Sequence, residues 1–144
     1  WAHQHDINVI LCSSPAPREL AIINEIKTLC NFEPVDVAGK LSLTQLTALI
    51  REVDLVISPD SGPAHIATTQ GTPVIGLYAY HNPLRTGPYN NLDNVVSVYE
   101  QNAQKEYGKP SAQLPWAIKL KGQNLMAEIE VEEVVKQMEA LLLP

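Results

Sequence analysis

The stretch SPDSGPAHIATTQGTPVIGLY, residues 58 to 78, gathers Asp60, Ser61, Gly62, Pro63, Ala64 and His65 between two apolar runs. An acid, a hydroxyl, a glycine and a histidine in six positions could do hydrolytic or anion-binding chemistry. Asp60, Ser61 and His65 are the residue types of a hydrolytic triad. Residues this close along one turn cannot easily align nucleophile, base and orienting acid, however, and no G-x-S-x-G elbow is present. Anion binding fits better. Pro63 suits the first turn of a helix, Asp60 or Ser61 can serve as its N-cap, and Gly62 lets a ligand approach the backbone. The first-turn amides and the helix dipole then make a phosphate site, to which His65 adds a donor. A plain capped helix that binds nothing has the same residues.

Such a turn needs strands to hold it. INVILC (7–12) reads as a strand buried on both faces, followed by a helix to about Cys30 with Leu20, Ile23, Ile26 and Cys30 on one face. PVDV (34–37) reads as a second strand, and Ser42 as the N-cap of a helix burying Leu43, Leu46, Leu49 and Ile50. DLVIS (54–58), a short helix GPAHIATTQ ended by Gly71, TPVIGLY (72–78) and NVVSV (94–98) follow. The last helix carries an apolar stripe of Val131, Val134, Val135, Met138, Leu141 and Leu142. The polar stretch 99–130 supports no assignment. Alternating strands and helices with short links predict an α/β fold, a parallel sheet with helices on both faces. In such sheets ligands bind beyond the carboxyl ends of the strands, where Asp60 to His65 fall. Asp36 ends the second strand, where a carboxylate can take both ribose hydroxyls, or stand as a solvated turn acid. Lys40 can approach a phosphate or a base, or stay a solvated loop lysine.

At 144 residues the chain suits one domain. With 45% apolar and 18% charged residues it is globular. A net charge of −6, with no basic cluster beyond Lys119 and Lys121, argues against a nucleic-acid partner. No secretory signal opens the chain, and no apolar run approaches the ~20 residues that span a bilayer. Cys12 and Cys30 read as two buried reduced thiols. His3 and His5 lack acidic or thiol partners and read as surface decoration, so no metal site is expected.

DLVISPDSGPAHIATTQGTPVIGLY together with NPLRTGPY resembles the carboxyl-terminal domain of glycosyltransferase family 9, the lipopolysaccharide heptosyltransferases. VAGKLSLTQLTALI and NLMAEIEVEEVVKQMEALL resemble further segments of the family, so the likeness covers about residues 8–98 and 124–143. The resemblance implies a GT-B enzyme, two Rossmann-like domains facing across a cleft. This chain would be the donor-binding one, truncated at its amino-terminal end. Asp60, Ser61, Gly62, Pro63, Ala64 and His65 would hold the diphosphate and nearby sugar of an ADP-heptose-like donor, with Lys40 and Asp36 nearby on the donor. Backbone amides and the helix dipole would stabilise the leaving diphosphate without a cofactor or metal. The general base and the lipopolysaccharide-core acceptor would belong to the amino-terminal domain, so no catalytic residue is expected here and the 144 residues alone would transfer nothing. The resemblance also implies a cytoplasmic protein, peripheral to the inner membrane. Alternatives are a non-catalytic nucleotide-binding module, or the donor domain of another GT-B enzyme.

Two departures from the family pattern matter. A small turn usually follows the fourth strand, and here LYAYHN places Tyr80, His81 and Asn82 there. The family domain also begins with a strand and a basic loop that this chain lacks. That strand is central in a doubly wound sheet, so its absence should leave a gap or force pairing with another copy of the chain.

Overall fold

The computed structural model describes residues 1–143. Strands and helices alternate as expected: β1 (Ile10–Leu11), α1 (Pro17–Leu29), β2 (Val35–Asp36), α2 (Leu43–Glu52), β3 (Val56–Pro59), α3 (Gly62–Gln70), β4 (Val74–Tyr78), α4 (Pro83–Thr86), β5 (Val96–Ser97), α5 (Tyr99–Tyr107) and α6 (Val131–Leu142). Every ladder is parallel, β1 with β2 and then β3, β4 and β5 in that order. The fold is Rossmann-like α/β. The described residues form two compact units, Trp1–Leu46 and the remainder from Thr47.

In the first unit, Ile10 pairs with Val35 and Leu11 with Asp36. INVILC was expected to be buried on both faces, but only Ile10 and Leu11 join a ladder and both are half-buried. A continuous apolar run signals burial, yet among the described residues only two of its six positions join a ladder, with β2. Cys12 is correspondingly exposed, not buried as expected, and Cys30 is half-buried; both thiols are free. Ile23 is the buried anchor of α1, whereas Ile26, expected beside it, is 38% exposed. His5 stacks on Trp1 at 4.2 Å and donates to the Trp1 carbonyl through Nδ1, while His3 stacks on Phe32. Both histidines are surface decoration.

α2 opens with a reciprocal cap. The Gln45 amide donates to Ser42 Oγ at 3.3 Å, and the Ser42 amide donates to Gln45 Oε1 at 2.9 Å. Leu43, expected inward, is 70% exposed because it lies in the first turn.

In the second unit β3 and β4 run in register from Val56↔Val74 to Pro59↔Leu77. Val74 and Ile75 are fully buried, as are Ala64 and Ala67 of α3, small side chains that let a helix sit close to its neighbours. Gly71 ends α3 at φ 77°, a left-handed conformation that glycine adopts without strain. Gly76 is needed for a different reason: a Cβ there would lie 2.8 Å from the ring of Tyr78. A buried hydrophobic cluster draws on the stretch that the sequence left unassigned. Tyr99 and Ala103 of α5 pack with Ala79, Val98, Leu120 and Leu125. In α6, Val134, Val135, Met138, Leu141 and Leu142 are half-buried as expected, but Val131, its first residue, is 70% exposed.

One buried polar contact ties α2 to the loop before β4. Thr72 Oγ1 donates to the Ile50 carbonyl at 2.7 Å. Thr72→Val keeps the shape and orphans a buried acceptor, which is expected to cost about 1–3 kcal/mol. Urea unfolding checks this, and an unchanged midpoint would show that water reaches the Ile50 carbonyl.

Candidate functional site

β3 ends at Pro59 and α3 begins at Gly62, so Asp60 and Ser61 make the whole connection. Pro63 occupies the first turn, as expected. Ser61 holds the N-cap position in extended conformation, but its hydroxyl makes no cap bond. It lies 2.9 Å from Ser58 Oγ instead. Ser58 spends its one proton on the Pro59 carbonyl, so Ser61 donates to Ser58. The first turn of α3 is therefore free of any side-chain cap. A Cβ built on Gly62 meets no protein atom within 4 Å, so the space beside that backbone is open. Ala64 is wholly buried and serves packing. His65 is exposed.

Asp60 turns away from the α3 amides. Its Oδ2 accepts from Thr86 Oγ1 at 3.0 Å and lies 2.8 Å from His81 Nδ1. Among the described residues its Oδ1 has only the Tyr78 hydroxyl, at 3.5 Å. That hydroxyl is better placed on the Thr86 carbonyl at 2.8 Å, which leaves Oδ1 able to accept from a ligand. Burial, followed by the charge and hydrogen bond of Asp60, pushes the Tyr78 phenol up, so it stays protonated at neutral pH. Tyr78, His81 and Thr86 are the site residues that sequence reasoning did not assign. His81 lies in LYAYHN, the segment that departs from the family pattern, and Thr86 lies in the R-T-G-P-Y run.

Of Tyr80, His81 and Asn82, the first and last are structural. The Tyr80 hydroxyl accepts from the Leu125 amide at 3.3 Å, and its carbonyl accepts from the Leu120 amide at 2.9 Å. Asn82 is buried and caps α4 by accepting from the Leu84 amide at 3.0 Å. Only His81 of the three is turned to Asp60.

Asp36 and Lys40 lie in the first unit. Lys27 Nζ sits 2.6 Å from Asp36 Oδ2, and the Ala38 amide donates to Oδ1 at 3.0 Å. Lys27, followed by the Ala38 amide, holds this carboxyl below its ordinary range. Lys40 is exposed and rests its ammonium on the Asp36 carbonyl at 2.7 Å. A ribose at Asp36 would share the carboxylate with Lys27.

The family model for glycosyltransferase family 9 (heptosyltransferase) matches residues 1–117. The lipopolysaccharide core heptosyltransferase OpsX of Haemophilus influenzae is 76% identical over 140 residues, 97% of this chain and 40% of that protein. Lipopolysaccharide heptosyltransferase 3 of Escherichia coli K12 is 30% identical over 141 residues, 96% of this chain and 38% of that protein. A family 9 glycosyl transferase structure from Veillonella parvula superposes with a TM-score of 0.70 at 26% identity, covering 97% of this chain and 38% of the other. E. coli ADP-heptose LPS heptosyltransferase II superposes at 0.69 with 23% identity, covering 99% and 39%, which speaks to fold alone. The chain thus spans about two fifths of the relatives it matches. With a family model matching most of its length and a relative at 76% identity, the chain belongs to glycosyltransferase family 9.

Proposed function

We propose that these residues form the donor-binding part of an inverting heptosyltransferase of lipopolysaccharide-core synthesis, with an ADP-heptose-like nucleotide-sugar as donor. The observation that carries this reading is the α3 turn: a helix start without a side-chain cap, open space beside Gly62 and an exposed His65. The donor's diphosphate lies against the first turn of α3, where amides and dipole favour negative charge. Asp60 Oδ1 takes a sugar hydroxyl. A base elsewhere in the full-length protein removes the acceptor's proton. The acceptor oxygen then bonds to the anomeric carbon as the bond to the diphosphate breaks, and the negative charge that collects on the departing phosphate is met by dipoles already in place. The full-length protein works at the cytoplasmic face of the inner membrane, where a lipid acceptor is reached by a peripheral enzyme.

The test is a donor panel on the full-length protein, with ADP-, UDP- and GDP-sugars, alongside calorimetric titration of ADP. Transfer is expected from the ADP-sugar. His65→Ala is expected to weaken ADP about tenfold, the loss of one charge-assisted hydrogen bond, with unchanged thermal unfolding. Transfer only from another nucleotide-sugar would overturn the donor assignment. Normal ADP affinity in His65→Ala, with lowered stability, would make His65 a packing residue.

A further inference from the structure

Thr86 closes α4, a single turn held at both ends. The Asn82 carboxamide oxygen accepts from the Leu84 amide at 3.0 Å, and the Gly87 amide donates to the Pro83 carbonyl at 2.7 Å. A threonine so placed has a local acceptor within reach, the carbonyl four residues back. Here that is the Asn82 carbonyl, 3.5 Å from Oγ1, and the hydroxyl is better placed on Asp60 Oδ2 at 3.0 Å. One hydroxyl has one proton, and the charged acceptor at the shorter distance takes it.

The backbone of Thr86 is committed as well. Its carbonyl accepts from the Tyr78 hydroxyl at 2.8 Å, and Tyr78 is wholly buried, so the phenol is a fixed post. The same hydroxyl meets Asp60 only weakly, at 3.5 Å. The three residues therefore act in series. The phenol holds the backbone of Thr86, and the hydroxyl of Thr86 holds Asp60 Oδ2. His81 Nδ1 meets that oxygen too, at 2.8 Å. Turning the carboxylate would break both contacts, so Oδ1 is the oxygen left to a ligand.

We infer that Thr86 is a positioning residue for the sugar half of the donor: its hydroxyl fixes the Asp60 carboxylate so that Oδ1 receives a sugar hydroxyl, and Tyr78 holds Thr86 in place to do so. This rests on the reading that Asp60 Oδ1 takes a hydroxyl of the nucleotide-sugar. Thr86 itself touches no substrate. Its influence runs through one carboxylate, so it falls on the sugar and not on the nucleoside diphosphate. A carboxylate free to swing leaves the sugar hydroxyl without its acceptor in most orientations. The anomeric carbon is then held less often in line with the attacking oxygen.

The experiment is steady-state transfer from the ADP-sugar by the full-length protein, alongside calorimetric titration of ADP. Thr86→Val keeps the shape and removes the hydroxyl. It is expected to lower kcat/KM about tenfold, the scale of one charge-assisted hydrogen bond, and to leave the ADP Kd within about twofold. Thr86→Ser returns the hydroxyl and is expected to restore transfer. In an Asp60→Ala background Thr86→Val is expected to cost nothing further, because the group it acts through is gone. Tyr78→Phe keeps the ring and is expected to lower transfer by less, about threefold, with ADP affinity again unchanged. Wild-type kcat/KM in Thr86→Val overturns the inference. So does a loss of ADP affinity in step with transfer, a serine as poor as the valine, or an undiminished effect of Thr86→Val on top of Asp60→Ala. Should Thr86→Val not fold, wild-type transfer by Tyr78→Phe overturns it instead. If Asp60→Ala is deficient while Thr86→Val is not, this inference alone fails. If Asp60→Ala transfers like the wild type, the reading of Asp60 as a sugar-binding residue fails with it.

Discussion

Asp60→Ala in the full-length protein is expected to lower glycosyl transfer by about 10²-fold or more, the scale on which losing one preorganised charge-stabilising element acts. The carboxylate is the common acceptor for Thr86 and His81, and Tyr78 stands at its other oxygen. Removing it frees the imidazole to rotate, lets its tautomer change and leaves the Thr86 hydroxyl without its best partner. The loss should be visible in kcat/KM more than in thermal unfolding, since the group is part-exposed and water can replace some of what it did. Asp60→Asn separates charge from shape. The amide keeps the volume but presents at most one acceptor, and a neutral one, so it is expected to recover little. Steady-state kinetics of both variants with saturating acceptor check this. Wild-type turnover in Asp60→Ala would refute a role for the turn in the reaction.

The second large effect falls on a glycine that touches no ligand. Gly87 follows α4, and a Cβ there would lie 2.3 Å from the Pro83 carbonyl oxygen and 2.5 Å from Leu92 Cδ2. The Gly87 amide already donates to that carbonyl at 2.7 Å, so the oxygen cannot move away without breaking the bond that closes the helix. The leucine can turn, but the backbone cannot. Gly87→Ala is therefore expected to destabilise the protein by about 1–3 kcal/mol, as overpacking does. It should lower activity too, because the neighbouring Thr86 supplies both the hydroxyl on Asp60 and the carbonyl that receives Tyr78. Urea unfolding and transfer assays on the same preparation measure the two effects. A fully stable Gly87→Ala would mean that α4 can unwind at no cost.

What the sequence revealed, and what it hid, divides by distance along the chain. α3 formed over the nine residues expected, because Pro63 and Gly71 punctuate it locally and each has a conformational reason to be there. The alternation of strands and helices was legible for the same cause. The partners of Asp60 were not, since Tyr78 is 18 residues away and Thr86 is 26. Nothing in the spacing of D-S-G-P says that its acid turns back toward the end of the next strand. Ser61 looked like an N-cap by residue type, but Ser58, three residues earlier, competes for its hydroxyl. α5 was hidden by composition: in YEQNAQKEY only Tyr99, Ala103 and Tyr107 are apolar, a stripe one residue wide. Such a stripe suffices when the opposing surface is Leu120 and Leu125. β1 erred the other way, since apolar content shows that a segment avoids water but not what covers its two faces.

Gly76 has a consequence for how this site can change over time. The ring of Tyr78 lies across the position where a side chain at 76 would be, and the hydroxyl of that ring reaches both Asp60 and Thr86. The two positions are therefore a lock and its key in heredity as well as in space. A lineage cannot acquire even a methyl group at 76 while it keeps a tyrosine at 78, and once 78 has shrunk, the vacated room admits larger residues at 76 that bar the way back. Drift at an inert-looking strand glycine would then decide whether the carboxylate beyond it keeps its phenol.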